Sequence, residues 1–407
     1  MGQNGFTEAG LRRMRDVLTR HVETGKIPGV VALVSRGDET HVEAIGTMRH
    51  DGGAPMRRDT IFRMASTSKP VAMAAAMALV DDCEIRLDDM VEQWLPELAG
   101  RQVLARIDGP LDETVPARRP ITVRDLLNST FGLGIDLTAM GSPITAALFE
   151  RGVFTQGGEP APEQDEWMRR LGTLPLMRQP GEQWQYHISH DVLGVLVSRV
   201  TGKPFETFLR ERVLDPLGMK DTGFHVPSDK IDRLPPSYAP DPQTGEFHVW
   251  DEAEGGRYSA PPEFQSGGGG LVSTVDDYNA YFRMLLNQGT HAGERILSRP
   301  AVELMTTNSL TAEQEATRSA LARGSVHVSF GQGQQGGWGF GMAVRTYRGD
   351  YAPVGQFGWD GGTGTSAYAD PQNQLTGVLL MQVGLTNPAP ARVIHDFWTT
   401  TYQALED

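Results

Sequence analysis

Ile61-Phe-Arg-Met-Ala-Ser66-Thr-Ser-Lys69-Pro70, continued by Val71-Ala-Met-Ala-Ala-Ala-Met-Ala-Leu-Val80, joins a short polar segment to a long apolar one. The second half consists of strong helix formers with almost no polar face, which predicts a buried helix. Pro70 marks where that helix begins, because proline is tolerated in a first turn, where its missing N–H would have no partner. Ser66 therefore falls at or near the N-terminus, and Lys69 lies three residues on, along the same face. A hydroxyl beside an amine, at the positive end of a helix dipole and over apolar packing, meets the conditions for a depressed lysine pKa and a nucleophilic serine. An exposed lysine titrates near ~10.4 and a useful base at neutral pH needs roughly 7–8, so holding Lys69 neutral costs on the order of 3–5 kcal/mol. Only a buried lysine carries such a penalty. Taken alone, Ser-x-x-Lys more often describes an N-cap followed by a solvated lysine.

The chain of 407 residues has room for two domains or one large two-part body. With 39% hydrophobic and 22% charged residues it has the composition of a globular enzyme. A formal charge of −14 argues against nucleic acid and anionic membrane surfaces as partners. Cys83 is the sole cysteine, so no intrachain disulfide can form, and its acidic neighbours Asp81, Asp82 and Glu84 disfavour a thiolate. Met1 to Glu8 has neither a basic nor an apolar leader region, and Phe6 stands where a myristoylation signal at Gly2 needs Ser or Thr. No apolar run is long enough to span a bilayer. These features predict a cytoplasmic protein.

Outward from the Ser66 segment, Thr7 to Thr24 carries apolar residues at helical spacing, and Val30–Ser35 and His41–Gly46 read as strands about the turn Arg36-Gly-Asp-Glu. Ile121-Thr-Val-Arg-Asp-Leu-Leu-Asn predicts a short capped helix, and Asp191–Val200, Phe205–Leu214 and Thr274–Leu286 predict longer ones. Pro227 to Gln265, dense in Pro, Asp and Gly, reads as an excursion with little regular structure. Gly339–Tyr347, Tyr351–Gly358, Thr365–Asp370 and Leu375–Val383 alternate as strands before a final helix from Ala391 to Leu405. Strands at both ends with helices between predict an α/β fold of the α+β type, with one antiparallel sheet made by the two termini. The expected division is a discontinuous sheet domain, 1–65 with 266–407, and a mostly helical domain, 66–265, with the active site in the cleft between them.

A nucleophilic Ser66 needs a proton acceptor and an oxyanion site. Tyr186, in Trp184-Gln-Tyr186-His-Ile-Ser-His-Asp191-Val-Leu-Gly194, is the candidate second base, since a phenol near a protonated lysine is drawn towards phenolate. Phe357-Gly-Trp-Asp-Gly-Gly-Thr-Gly-Thr-Ser366 sets glycines where a strand must approach something closely, and an N–H there can pair with that of Ser66 as an oxyanion hole.

In order and context these three segments resemble the serine hydrolases related to class C β-lactamases and penicillin-binding proteins, and among them most closely the family VIII carboxylesterases. The resemblance covers nearly the whole chain, including Pro180-Gly-Glu and Gly268-Gly-Gly-Leu-Val-Ser-Thr. It implies a β-lactamase/transpeptidase-like fold, with Ser66, Lys69 and Tyr186 catalytic and the Ser66 and Gly362 amides as the oxyanion hole. The family's third motif, Lys-Thr-Gly, falls on Trp359-Asp360-Gly361, and the Asn two residues after the β-lactamase tyrosine falls on Ile188. Trp359, Asp360, Gly361 and Ile188 are thereby the expected substrate contacts. Trp359 supplies apolar wall in place of a cation, and Ile188 removes an amide, which favours neutral esters over carboxylate-bearing β-lactams.

Three other patterns compete. Gly331-Gln-Gly-Gln-Gln-Gly336 fits a dinucleotide fingerprint but opens no helix. His187 and His190 have a metal-like spacing without a third ligand. A Gly-x-Ser-x-Gly elbow is absent. The sequence thus predicts a serine hydrolase of short- to medium-chain carboxylic esters, using no cofactor and no metal, with a small-molecule ester as its partner. A β-lactamase, a D-amino-acid peptidase or an acyltransferase on the same fold is the alternative, and a non-catalytic binding protein the more distant one.

Overall fold

The computed structural model describes residues 5–136, 139–155, 161–241, 243–323, 336–385 and 388–406. Strand Gly29–Arg36 pairs antiparallel with Glu39–Arg49 on one side and with the C-terminal strand Leu375–Met381 on the other. Leu375–Met381 continues to Thr365–Asp370 and then Phe357–Gly361, and short strands at Ala343–Val344, Gly337–Trp338 and Gly52–Pro55 complete an eight-stranded sheet. The two ends of the chain therefore share one antiparallel sheet.

Both faces of that sheet are covered, which is why its central strands read as near-continuous apolar runs. Side chains alternate across it. Val30, Ala32 and Val34 pack with Met14 and Leu18 of helix Glu8–Glu23 and with Phe397 of helix Pro388–Gln403. Val31 and Leu33 belong to the larger core on the other face, which takes in Tyr278 and Phe282 of helix Val275–Leu286. That core runs on without a break into the central helix Ser68–Asp81 and helix Ile188–Thr201. Every residue from Ser68 to Leu79 is buried, as its lack of a polar face requires.

Local signals set most element ends. Thr7 caps the first helix through Gly10 N, Thr122 and Asp125 form a capping box at Val123–Leu127, and Thr274 caps Val275–Leu286. Three expectations change, the first being the strand over Gly339–Tyr347, which is reduced to Ala343–Val344. The strand predicted over Tyr351–Gly358 begins later and runs over Phe357–Gly361, because Pro353 and the positive-φ Gly355 turn the chain while Tyr351 and Val354 stay exposed. The excursion Pro227–Gln265 contains a hairpin, Ser237–Pro240 with Phe247–Asp251. Buried Arg63 ties it down, with Nε donating to Asp251 Oδ2 at 2.5 Å and the other nitrogens reaching the carbonyls of Pro235, Asp251 and Glu252. Residues 331–335 of the dinucleotide-like pattern lie outside the described residues. Among those described, no helix is long and apolar enough to cross a membrane.

Candidate active site

Ser66 sits in a 3-10 turn, Ala65–Thr67, immediately ahead of the central helix. Ala65 has φ 45°, a conformation that non-glycine residues rarely adopt, and the backbone around it is pinned from the sheet side. Thr363 Oγ1 donates to Arg63 O at 2.5 Å, and Thr365 Oγ1 donates to Met64 O at 2.9 Å. A Cβ on Gly361 would lie 2.3 Å from Met64 O, so only glycine lets this strand end close on the serine segment.

Lys69 is wholly buried. Its Nζ lies 3.0 Å from Ser66 Oγ, 2.6 Å from Gly268 O and 3.1 Å from His187 Nδ1. Burial lowers the amine from 10.5 to about 7, with the nearby charge of Asp191 working against that shift. Ser68 takes no part, since its buried Oγ accepts from Leu271 N at 3.0 Å.

The Tyr186 ring stands over Lys69 Nζ, 4.5 Å from nitrogen to ring centroid. Its hydroxyl accepts from Trp359 Nε1 at 2.8 Å and is hydrogen-bonded to Ser66. Burial pushes the phenol up to about 12, although its bonds to Ser66 and Trp359 pull the other way. The phenolate expected from the sequence is therefore not the resting form, because burial of the phenol itself disfavours its charged form, and burial also lowers the charge on the lysine that would draw it out.

The expected substrate contacts divide. Trp359 does not line the cleft: its indole packs edge-on to Trp338, at 4.9 Å between centroids, in a cluster with Trp184, and its N–H serves Tyr186. Asp360, its neighbour on the strand, points to the opposite face and accepts from Tyr368 OH at 2.9 Å, and burial raises its carboxyl to about 6. Ile188 is fully buried in the larger core at the start of helix Ile188–Thr201, so it too stays out of the cleft. Gly361 supplies the close approach described above. Gly362 lines the cleft with Ser66, its carbonyl held by Leu385 N at 2.8 Å and open space where a Cβ would stand.

The cleft has a volume of about 790 Å³ and apolar walls that include Phe154, Trp250, Tyr258 and Phe264. Three of these come from the excursion that looked unstructured in the sequence. Sequence reasoning weighed His187 only for a metal and gave Asp191 and Gly268 no part in the site, yet the three lie together around Lys69. The spacing of His187 and Asp191, one helical turn apart, and the glycine run 267–270 were the available signals. Among the described residues no group of three or more His, Cys, Asp or Glu side chains converges to hold a metal ion.

The chain matches the family described as Beta-lactamase over residues 14–395. It is 41% identical over 367 residues to an uncharacterized protein of Mycobacterium tuberculosis, covering 88% of this chain and 87% of that one. It is 30% identical to Esterase EstB of Burkholderia gladioli, covering 92% of each. Among solved structures, EstCE1, described as a hydrolase with promiscuous acyltransferase activity, superposes with a TM-score of 0.78 at 25% identity, over 96% of this chain and 99% of that one.

Proposed function

The chain belongs to the β-lactamase family of serine hydrolases, close to its family VIII esterases, and from that premise we propose that it cleaves carboxylic esters of short to medium acyl chain through a Ser66 acyl-enzyme. The observation that carries this reading is the 3.0 Å approach of a fully buried amine, titrating near about 7, to the Ser66 hydroxyl. Near neutral pH a large share of Lys69 is uncharged and can take the serine proton.

Ser66 Oγ attacks the ester carbonyl carbon while its proton passes to Lys69 Nζ. The tetrahedral oxyanion lies between the Ser66 and Gly362 amides. Collapse breaks the bond to the alcohol oxygen, which takes a proton from the Tyr186 hydroxyl, and Tyr186 recovers one from the Lys69 ammonium. Water then attacks the acyl-enzyme and gives its proton to Lys69; the bond to Ser66 Oγ breaks as Lys69 passes that proton to the serine oxygen, which releases the acid and restores the free hydroxyl and the neutral amine. In this scheme Tyr186 acts first as an acid, in keeping with a phenol held up to about 12.

Two features favour esters over β-lactams. Tryptophan occupies the third-motif lysine position and spends its N–H on Tyr186, and the cleft walls are aromatic. EstB and EstCE1, whose descriptions are those of an esterase and a hydrolase, are relatives over most of their length. Acyl transfer is the second reading, favoured by EstCE1's described acyltransferase activity and by a cleft wide enough for an alcohol acceptor. The test is turnover of p-nitrophenyl butyrate against a chromogenic cephalosporin, with and without an added alcohol, in wild type and Ser66→Ala. Ester turnover should dominate, and Ser66→Ala should lose about 10⁴-fold or more. A variant retaining a tenth of wild-type activity would place the nucleophile elsewhere.

A further inference from the structure

Two side chains behind Lys69 have no part in the scheme above. His187 follows Tyr186 directly, at φ 80° and ψ −65°. Ile188 N donates to Tyr186 O across it at 3.1 Å, which makes a γ-turn of the rare positive-φ kind. Strain of this sort persists only where the surroundings enforce it, and it concentrates at functional sites. Here the turn carries the imidazole back across Lys69. Nδ1 lies 3.1 Å from Lys69 Nζ, and Nε2 lies 3.3 Å from Asp191 Oδ2. The other Asp191 oxygen accepts from Ser266 Oγ at 2.6 Å and from Gly268 N at 2.9 Å. A Cβ at position 268 would come within 2.9 Å of His187 Nε2, so glycine is what lets this backbone close on the pair.

The donors and acceptors then assign each proton. An ionised carboxylate only accepts. Burial opposes the Asp191 charge, but His187, Ser266 and Gly268 together hold its carboxyl below the ordinary range. His187 Nε2 therefore carries the ring proton and Nδ1 is left as an acceptor. Neutral Lys69 has two N–H bonds and one lone pair. Around it stand two acceptors with no proton to give, Gly268 O and His187 Nδ1, and one hydroxyl, that of Ser66. With both N–H bonds used on the acceptors, the lone pair faces Ser66.

We propose that Asp191 and His187 are positioning residues that aim the Lys69 lone pair at the Ser66 hydroxyl. The inference rests on Ser66 and Lys69 as nucleophile and base. Once the serine proton has moved to Nζ, the same two acceptors hold the ammonium in place, and its third N–H points to the reacting oxygen. No proton passes to His187.

His187→Phe keeps a ring and removes the acceptor, whereas His187→Asn returns an acceptor oxygen near the Nδ1 position and tolerates positive φ. Asp191→Asn offers an amide N–H to Nε2, which reverses the tautomer and turns an N–H on Nδ1 towards Lys69. The experiment measures p-nitrophenyl butyrate kinetics per Ser66 labelled to completion with a fluorophosphonate. In His187→Phe and Asp191→Asn, kcat should fall about 30-fold or more while KM stays within about twofold, as for a misdirected base. His187→Asn should recover to within about fivefold of wild type, and the double variant His187→Phe/Asp191→Asn should fall no more than about threefold below the weaker single. The inference is overturned if kcat per labelled site in His187→Phe stays within threefold of wild type, or if His187→Asn is as impaired as His187→Phe. Should His187→Phe fail to fold, the same threefold criterion applies to Asp191→Asn. Absence of Ser66 labelling in the wild type is a different failure, which removes the nucleophile reading and this inference with it.

Discussion

Lys69→Met replaces a buried amine by an apolar side chain of similar length, and its effect on stability should depend on pH in a way that isolates the amine. Lys69 is wholly buried and titrates near about 7 instead of 10.5. At about 1.4 kcal/mol per unit, that displacement costs the folded protein about 5 kcal/mol once the pH falls below 7. Between about pH 7 and 10.5 the unfolded chain binds one more proton than the folded one, so the wild type gains stability as pH rises. The gain between pH 7 and pH 9 should be about 2 kcal/mol, and Lys69→Met should lack it. Losing the amine also strands Gly268 O and His187 Nδ1, at about 1–3 kcal/mol each, so the net change at any one pH can be small. That offset barely varies with pH, and the difference between the two proteins across pH does not contain it. Urea unfolding of wild type and Lys69→Met at pH 7 and pH 9 measures this directly. If the stability difference moves by less than about 0.5 kcal/mol, the Lys69 pKa is not depressed and the lysine is not the resting base.

Activity should follow the same titration. Because the neutral amine is the acceptor, kcat/KM for p-nitrophenyl butyrate should rise with pH through about 7 and fall tenfold per unit below it; a profile flat from pH 5.5 to 8 would contradict that role. Trp359→Phe removes the donor to Tyr186 OH without altering the cleft wall, so kcat should drop about tenfold with KM unchanged, the mark of an interaction that matters only in the transition state. A change confined to KM would return Trp359 to the substrate wall. Gly361→Ala drives a methyl to 2.3 Å from Met64 O, and should cost about 1–3 kcal/mol of stability in urea unfolding together with most of the ester turnover; an unaffected variant would mean that the strand end does not set the position of Ser66.

What the sequence determined by itself are features governed by neighbours along the chain. The alanine-rich run after Pro70 had no exposed face to offer, so its burial followed from composition, and with it the depressed pKa of a lysine in its first turn. Threonine caps at positions 7, 122 and 274 work over three residues and needed no tertiary context. The apolar strands at both ends could pair only with each other once both were counted as sheet. The tertiary structure alone decided which way the side chains of the third motif point. Trp359 and Asp360 alternate across one strand, and whether the indole meets substrate or Tyr186 depends on an aromatic cluster drawn from positions 184, 338 and 359. Ile188 left the cleft because the γ-turn at His187 rotates the chain just before it, a backbone state that composition does not encode. Tyr186 stayed a phenol because its charge state depends on how much water and how much lysine charge the fold leaves around it. Of the cleft walls, Trp250 stands on the hairpin Ser237–Pro240 with Phe247–Asp251, and Tyr258 and Phe264 follow it; the stretch is held by Arg63, 188 residues before Asp251, and a contact over that separation is settled by packing and not by local preference.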